Sequence, residues 1–155
     1  MDLALEQARL ARAAGEVPIG AVVVLGGEAT GGAFNQRTGA AHPPAQAEVL
    51  ALRQAAQAVG NYRLTEAAVY VTLEPCLMCV GALVHARVRQ VVYGVAEPKT
   101  GALASTVRAL EIPELNHRFE VVAGIRADEC RDLVQGVRRV RGARRFSSSR
   151  SHTPR

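Results

Sequence analysis

A three-layer α/β/α domain around a five-stranded mixed sheet is the architecture this sequence predicts. Three observations lead there. Ile19–Leu25 is an unbroken apolar, β-branched run that ends at Gly26-Gly27 and is followed by a second short segment, the pattern of a hairpin. Residues 67–94 read as strand, helix and strand with short links, which calls for parallel pairing and a right-handed crossover. Helical apolar spacing frames both ends of the chain.

The elements follow in order. Apolar residues at positions 3, 5, 8, 10 and 13 predict a helix over Asp2–Ala14, stopped by Gly15. Strands over Ile19–Leu25 and Glu28–Phe34 form the hairpin, and 35–44 is a loop. Pro43-Pro44 introduces a helix over Ala45–Val59, closed at Gly60-Asn61. A strand over Ala67–Leu73, a helix over Cys76–Ala86 and a strand over Val88–Gly94 come next. Residues 97–115 are loop-rich, Phe119–Ala123 is a fifth strand, and Ala127–Val140 is a closing helix. From Arg144 onward the Ser, Arg and Pro content reads as a basic, disordered tail, which leaves 1–143 as the folded domain.

At 155 residues the chain suits one domain with a proper core. With 48% apolar and 21% charged residues it is globular in composition. No stretch reaches the roughly 18 to 20 apolar residues of a membrane helix, and no leader follows Met1, so a cytoplasmic protein with no membrane partner is expected. The net charge of +5 is segregated. Seven of the 19 cations are arginines within 138–155, a segment without an acid, and the other 12 face all 14 acids. Such a segment suits a phosphate backbone, with a solvated tail as the plainer reading.

Three cysteines in a chain without an export signal do not make a disulfide framework. Cys130 stands alone in a helical pattern and reads as a small buried hydrophobe. Cys76 and Cys79 lie three apart at the start of a helix, so their sulfurs face one way, and the helix N-terminus favours both as thiolates. A Cys-x-x-Cys pair alone also fits a redox dithiol or half of a zinc finger. No second pair exists to complete a finger. Pro75 directly before Cys76, with Gln46-Ala47-Glu48 about thirty residues upstream, is far more specific. Two thiolates, one upstream ligand and a glutamate to move protons form the pattern of a hydrolytic zinc site, whereas four protein ligands would be structural.

The runs Ala-Glu-Val-Leu-Ala-Leu-Arg, Asn-Tyr-Arg-Leu, Tyr-Val-Thr-Leu-Glu-Pro-Cys-Leu-Met-Cys-Val-Gly-Ala, Lys-Thr-Gly-Ala and Leu-Asn-His-Arg resemble the bacterial tRNA-specific adenosine deaminases, of the cytidine and deoxycytidylate deaminase-like superfamily. The likeness spans about residues 5–140. It implies the cytidine deaminase-like fold, one zinc ion per subunit, a homodimer, and conversion of the wobble adenosine to inosine in the anticodon stem-loop of an arginine tRNA. Carried over, Cys76 and Cys79 match the zinc thiolates, Gln46 the third ligand position and Glu48 the proton shuttle. Ile19, Asn35 and Ala47 match the pocket of the base, and Lys99, Asn116, His117 and Arg118 match positions near the RNA. Asn35 has a rival reading as a turn residue, Ile19 as plain core, and the last four as surface or capping residues.

Position 46 departs from the family, where it holds a histidine. A glutamine offers zinc only its neutral carbonyl oxygen, a weaker donor than imidazole or thiolate. His42 aligns with a loop position and His85 sits at the far end of the 76–86 helix, so neither is expected on the metal. Gln46 then reads as a natural or engineered change that weakens zinc, as an error in the sequence, or as the mark of a non-catalytic relative that keeps a tRNA-binding surface. The retained Glu48, Cys76 and Cys79 favour the first two. An enzyme of the same fold acting on a free base or nucleoside, guanine or cytosine, is the alternative. The Asn-His-Arg segment and the basic end favour RNA over it.

Overall fold

The computed structural model describes residues 1–136. The expected domain limit at 143, the tail from 144 and the last turn of the closing helix lie outside the described residues. The elements are α1 (Asp2–Ala13), β1 (Gly20–Leu25), β2 (Glu28–Phe34), α2 (Ala47–Val59), β3 (Ala68–Leu73), α3 (Leu77–His85), β4 (Gln90–Val95), a 3₁₀ turn (Ala109–Glu111) and β5 (Glu120–Val122). A further helix, α4, runs over 127–136. Strand order is β2-β1-β3-β4-β5, with β1 antiparallel to both neighbours and β3, β4 and β5 parallel. The five-stranded mixed sheet, the hairpin and the parallel strand–helix–strand unit are all present.

Glycines show which helices lie on which face. A Cβ on Gly31 of β2 would fall 2.3 Å from the Ala51 carbonyl of α2, and one on Gly20 of β1 would fall 2.1 Å from the Ala4 carbonyl of α1. Gly20 pairs with Phe34, three residues from Gly31, so the two glycines point to opposite faces of the sheet. Gly94 of β4 meets Cys130 of α4, and Cys130 is fully buried as expected. The Val23, Val69, Val71, Val91 and Tyr93 face packs with Ala47, Ala51, Val80 and Leu83 of α2 and α3 in the main core. Helices α2 and α3 therefore cover one face and α1 and α4 the other.

Several expectations need correction. The buried stripe of α1 is Ala4, Leu5, Ala8 and Ala11, while Leu3 and Leu10 are about half exposed. Side-chain-free Gly20 lets the alanine side of the helix approach the sheet backbone, and this outweighs the larger leucines. Helix α2 begins at Ala47 with Gln46 as its N-cap, and α3 begins at Leu77 with Cys76 as its N-cap, so both predicted starts were early. Gly60 closes α2 in the left-handed conformation at φ 70°, where glycine carries no Cβ penalty. Among the described residues no helix is long and apolar enough to cross a membrane.

Candidate active site

The chemistry collects at one edge of the sheet. Because β1 runs against β2 and β3, its N-terminal end lies beside their C-terminal ends, and parallel β4 ends at the same edge. The Gly20 N–H donates to the Thr72 hydroxyl at 3.2 Å and the Asn35 N–H to the Ile19 carbonyl at 3.2 Å, closing that edge. The N-termini of α2 and α3 meet there, bringing residues 46–48 to residues 76–79.

Gln46 Oε1 lies 3.2 Å from Cys76 Sγ and 2.8 Å from Cys79 Sγ, and Cys79 Sγ lies 2.8 Å from Glu48 Oε2. Two sulfurs and two oxygens thus converge across thirty residues of sequence. One thiol proton on Cys79 cannot serve both oxygens, so this electron-rich set suits a shared divalent cation better than shared protons. Among the described residues no three His, Cys, Asp or Glu side chains group to hold a metal, and the donor that meets both sulfurs is the amide oxygen of Gln46.

Burial first pushes the Glu48 carboxyl up to about 7, against the lowering effect of its hydrogen bond with Cys79. Glu48 is 4% exposed. The two thiols separate. Hydrogen bonding with Cys79, then the N–H groups of Cys79 and Met78 at the start of α3, bring Cys76 down to about 5 in spite of its burial. Hydrogen bonding to Cys76, burial and the neighbouring Glu48 push Cys79 up. Without a cation between them the pair favours one thiolate over two, since a second anion beside the first and beside Glu48 is opposed by charge.

Asn35 is buried, and its Oδ1 accepts the Ala47 N–H at 2.9 Å, tying the end of β2 to the start of α2. Ile19 is half-buried against the core, and Ala47 is fully buried. Asn35 also lines an open cleft of about 400 Å³ with Glu16, Arg37 and His42. His42 is exposed on that cleft, and His85 is exposed in the last turn of α3. Among the described residues neither histidine hydrogen-bonds to the cysteines.

The remaining expected residues sit apart from this knot. Lys99 is exposed, with its N–H bonded to Glu97 Oε1. The carbonyl of Asn116 accepts from Arg87, and His117 Nε2 meets the Val88 carbonyl at 2.8 Å. Arg118 spends its guanidinium on the carbonyls of Leu110, Ile112 and Leu115, so it braces the 110–115 turn. Glu74 was given no role in the sequence. Burial alone would raise its carboxyl, yet the Ser105 hydroxyl and the N–H groups of Ala104, Ser105 and Glu97 hold it below the usual range. Its place immediately before Pro75-Cys76, a carboxylate closing an apolar strand, was the available signal.

Comparison with known proteins agrees with this geometry. The MafB19-like deaminase family model matches residues 1–139. A tRNA-specific adenosine deaminase of Haemophilus influenzae is 43% identical over 131 residues, covering 84% of this chain and 76% of that protein. One from Bacillus subtilis is 42% identical over 134 residues, covering 86% and 83%. A solved structure from a study of A-to-I editing by tRNA:A34 deaminases at the wobble position of transfer RNA superposes with a TM-score of 0.84 at 41% identity, covering 86% of this chain and 96% of that one. At this identity over this share of both chains, and with the same fold, the chain belongs to the family of tRNA-specific adenosine deaminases.

Proposed function

We propose that this protein hydrolyses the wobble adenosine of an arginine tRNA to inosine, releasing ammonia. The observation that carries the reading is the convergence of Gln46, Glu48, Cys76 and Cys79 within 3.2 Å contacts at the sheet edge. Gln46 Oε1 and the sulfurs of Cys76 and Cys79 would hold one zinc ion per subunit. When bound, the metal supplies the Lewis acidity that lets water ionise near neutral pH.

The chain's own groups do the rest. Glu48, with its carboxyl near 7, is suited both to accept a proton from the attacking water and to return one to the purine ring nitrogen. A second proton passes through the same carboxylate to the departing amine. Asn35 offers its amide nitrogen to the base, Ile19 forms an apolar wall, and buried Ala47 holds Asn35 in place through its N–H. The anticodon loop is single-stranded, so presenting its base costs less than opening a duplex pair. Lys99, Asn116 and His117 would meet the RNA from the adjoining segments, with Arg118 bracing the turn between them.

Exposed Leu77 and Met78, on the first turn of α3, support pairing of two subunits beside the site. A tRNA substrate implies a cytoplasmic protein. Gln46 favours one second reading, a chain that binds tRNA but converts it slowly or not at all. Metal analysis and inosine formation on an anticodon stem-loop decide between them. The protein should hold zinc weakly, and Gln46→His should raise metal affinity and turnover by about 10-fold or more. Equal metal content and equal turnover in the two proteins would remove the argument from position 46. Tight stem-loop binding without product in either protein, at excess zinc, would establish the binding-only reading.

A further inference from the structure

Glu74 follows the last residue of β3 and is 2% exposed, yet the mechanism above leaves it unused. Its two oxygens gather five donors. Oε1 accepts the Glu97 N–H at 3.2 Å and the Ser105 hydroxyl. Oε2 accepts the N–H groups of Leu103 at 3.1 Å, Ala104 at 2.9 Å and Ser105 at 3.0 Å. Every donor belongs to the stretch 97–105, which also carries Lys99.

The same stretch lies along the metal-site backbone. The Ala102 N–H donates to the Pro75 carbonyl at 2.8 Å, and Gly101 forms an antiparallel bridge with Cys76. Gly101 admits the carboxylate because it has no side chain; a Cβ there would fall 2.3 Å from Glu74 Cδ. The Thr106 hydroxyl closes the turn on the Gly101 carbonyl at 2.6 Å. A carboxylate accepts at both oxygens, with the three donors on Oε2 sharing its two lone pairs, whereas a glutamine would turn an NH₂ group toward N–H groups.

We infer that Glu74 is a positioning residue that clamps residues 97–105 to the end of β3 and so fixes Lys99 relative to Cys76. This rests on the RNA-deaminase reading, because only a substrate that spans both places needs that spacing. No strand of the sheet holds this stretch, and residues 104–108 are exposed. Gly101 keeps its bridge to Cys76, and Ala102 and Leu103 their place in the core, so without the clamp the ordering of the flanking residues 97–100 and 104–105 would fall to substrate binding, as a cost in affinity. Glu48 and the cysteines stay in place, so the chemical step is spared.

The test compares the wild-type chain with Glu74→Gln and with Glu74→Ala, which removes the acceptors altogether. KM for the anticodon stem-loop should rise about 10-fold in both while kcat stays within about 3-fold. Bound metal per chain should not change. Amide exchange should lose protection at Leu103, Ala104 and Ser105 and keep it in β1 and β3. Ser105→Ala, which removes one donor, should give a smaller change in the same direction and serves if the other two variants fold poorly. Retained protection at 103–105 overturns the clamp, and so does an unchanged KM once protection is lost. If neither the wild-type chain nor Gln46→His converts the stem-loop, the RNA-deaminase reading fails, and amide exchange alone then upholds or overturns the clamp.

Discussion

Glu48 illustrates how burial tunes one residue for the task proposed for it. An ordinary glutamate, near 4.5, would be a poor proton donor at neutral pH; burial moves this one to about 7. The same shift has a consequence for stability. Between 4.5 and 7 the folded protein keeps a proton that the unfolded chain releases, so the group's contribution to folding is full below 4.5 and is lost as pH rises through 7. Metal-free wild-type protein should therefore lose about 3 kcal/mol relative to Glu48→Gln between about pH 5 and about pH 8. Cys76 and Cys79 also titrate and are coupled to Glu48, so the same comparison is repeated with both cysteines replaced by serine, which leaves burial, the leading cause of the shift, in place. Urea unfolding at the two pH values measures the loss, and a flat difference would contradict the burial of this carboxyl. The spacing of Glu48, Cys76 and Cys79 made these residues legible in the sequence, because ligand geometry fixes which positions can converge. For Glu74 the sequence marked only its place before Pro75-Cys76 and not its role, since its partners lie in a loop whose path no periodicity encodes.

Element scale explains why the site survives on so few residues. Helices α2 and α3 deliver Gln46 and Cys76 as N-caps, so side-chain placement is inherited from helix placement, and helix placement from close approach to the sheet. That approach depends on Gly31 under α2 and on Gly94 under α4. An alanine at either position should cost about 1 to 3 kcal/mol of stability by overpacking. Only Gly31→Ala, whose Cβ would press on the Ala51 carbonyl, should also weaken metal binding, because it displaces the helix that carries Gln46 and Glu48. Thermal unfolding and metal titration of the two variants would check this, and equal metal affinity would show that α2 can shift without moving its first turn. The strands and the parallel unit were legible because β-branched runs and short links leave few alternatives. The buried stripe of α1 was misread because hydrophobicity ranks leucine above alanine, whereas a helix lying on Gly20 is selected for small residues. Helix starts were read early because a residue with extended φ and ψ can cap a helix while looking like its first turn.

At the scale of the molecule, charge is divided between a slightly acidic body and a strongly basic end. Of the 19 cations, seven arginines fall within 138–155, where there is no acid, while the 14 acids are spread over the rest. The segregation was plain in the sequence; its geometry lies outside the described residues. An acidic body repels a phosphate backbone at long range, so a tRNA-processing protein of this composition needs a cationic segment to capture its substrate. Each arginine that replaces a counterion on the RNA contributes about 0.7 to 0.9 to the slope of log affinity against log salt. Replacing the seven arginines by glutamine should therefore flatten the salt dependence of stem-loop binding and weaken affinity most at low salt. Turnover at saturating RNA should persist, because Glu48, Cys76 and Cys79 are held by the sheet edge. Binding titrations over a range of salt concentrations, alongside turnover at saturation, separate capture from chemistry. A salt slope equal to that of the wild-type chain would assign the arginines to solvent and shift the capture of RNA to Lys99 and its neighbours.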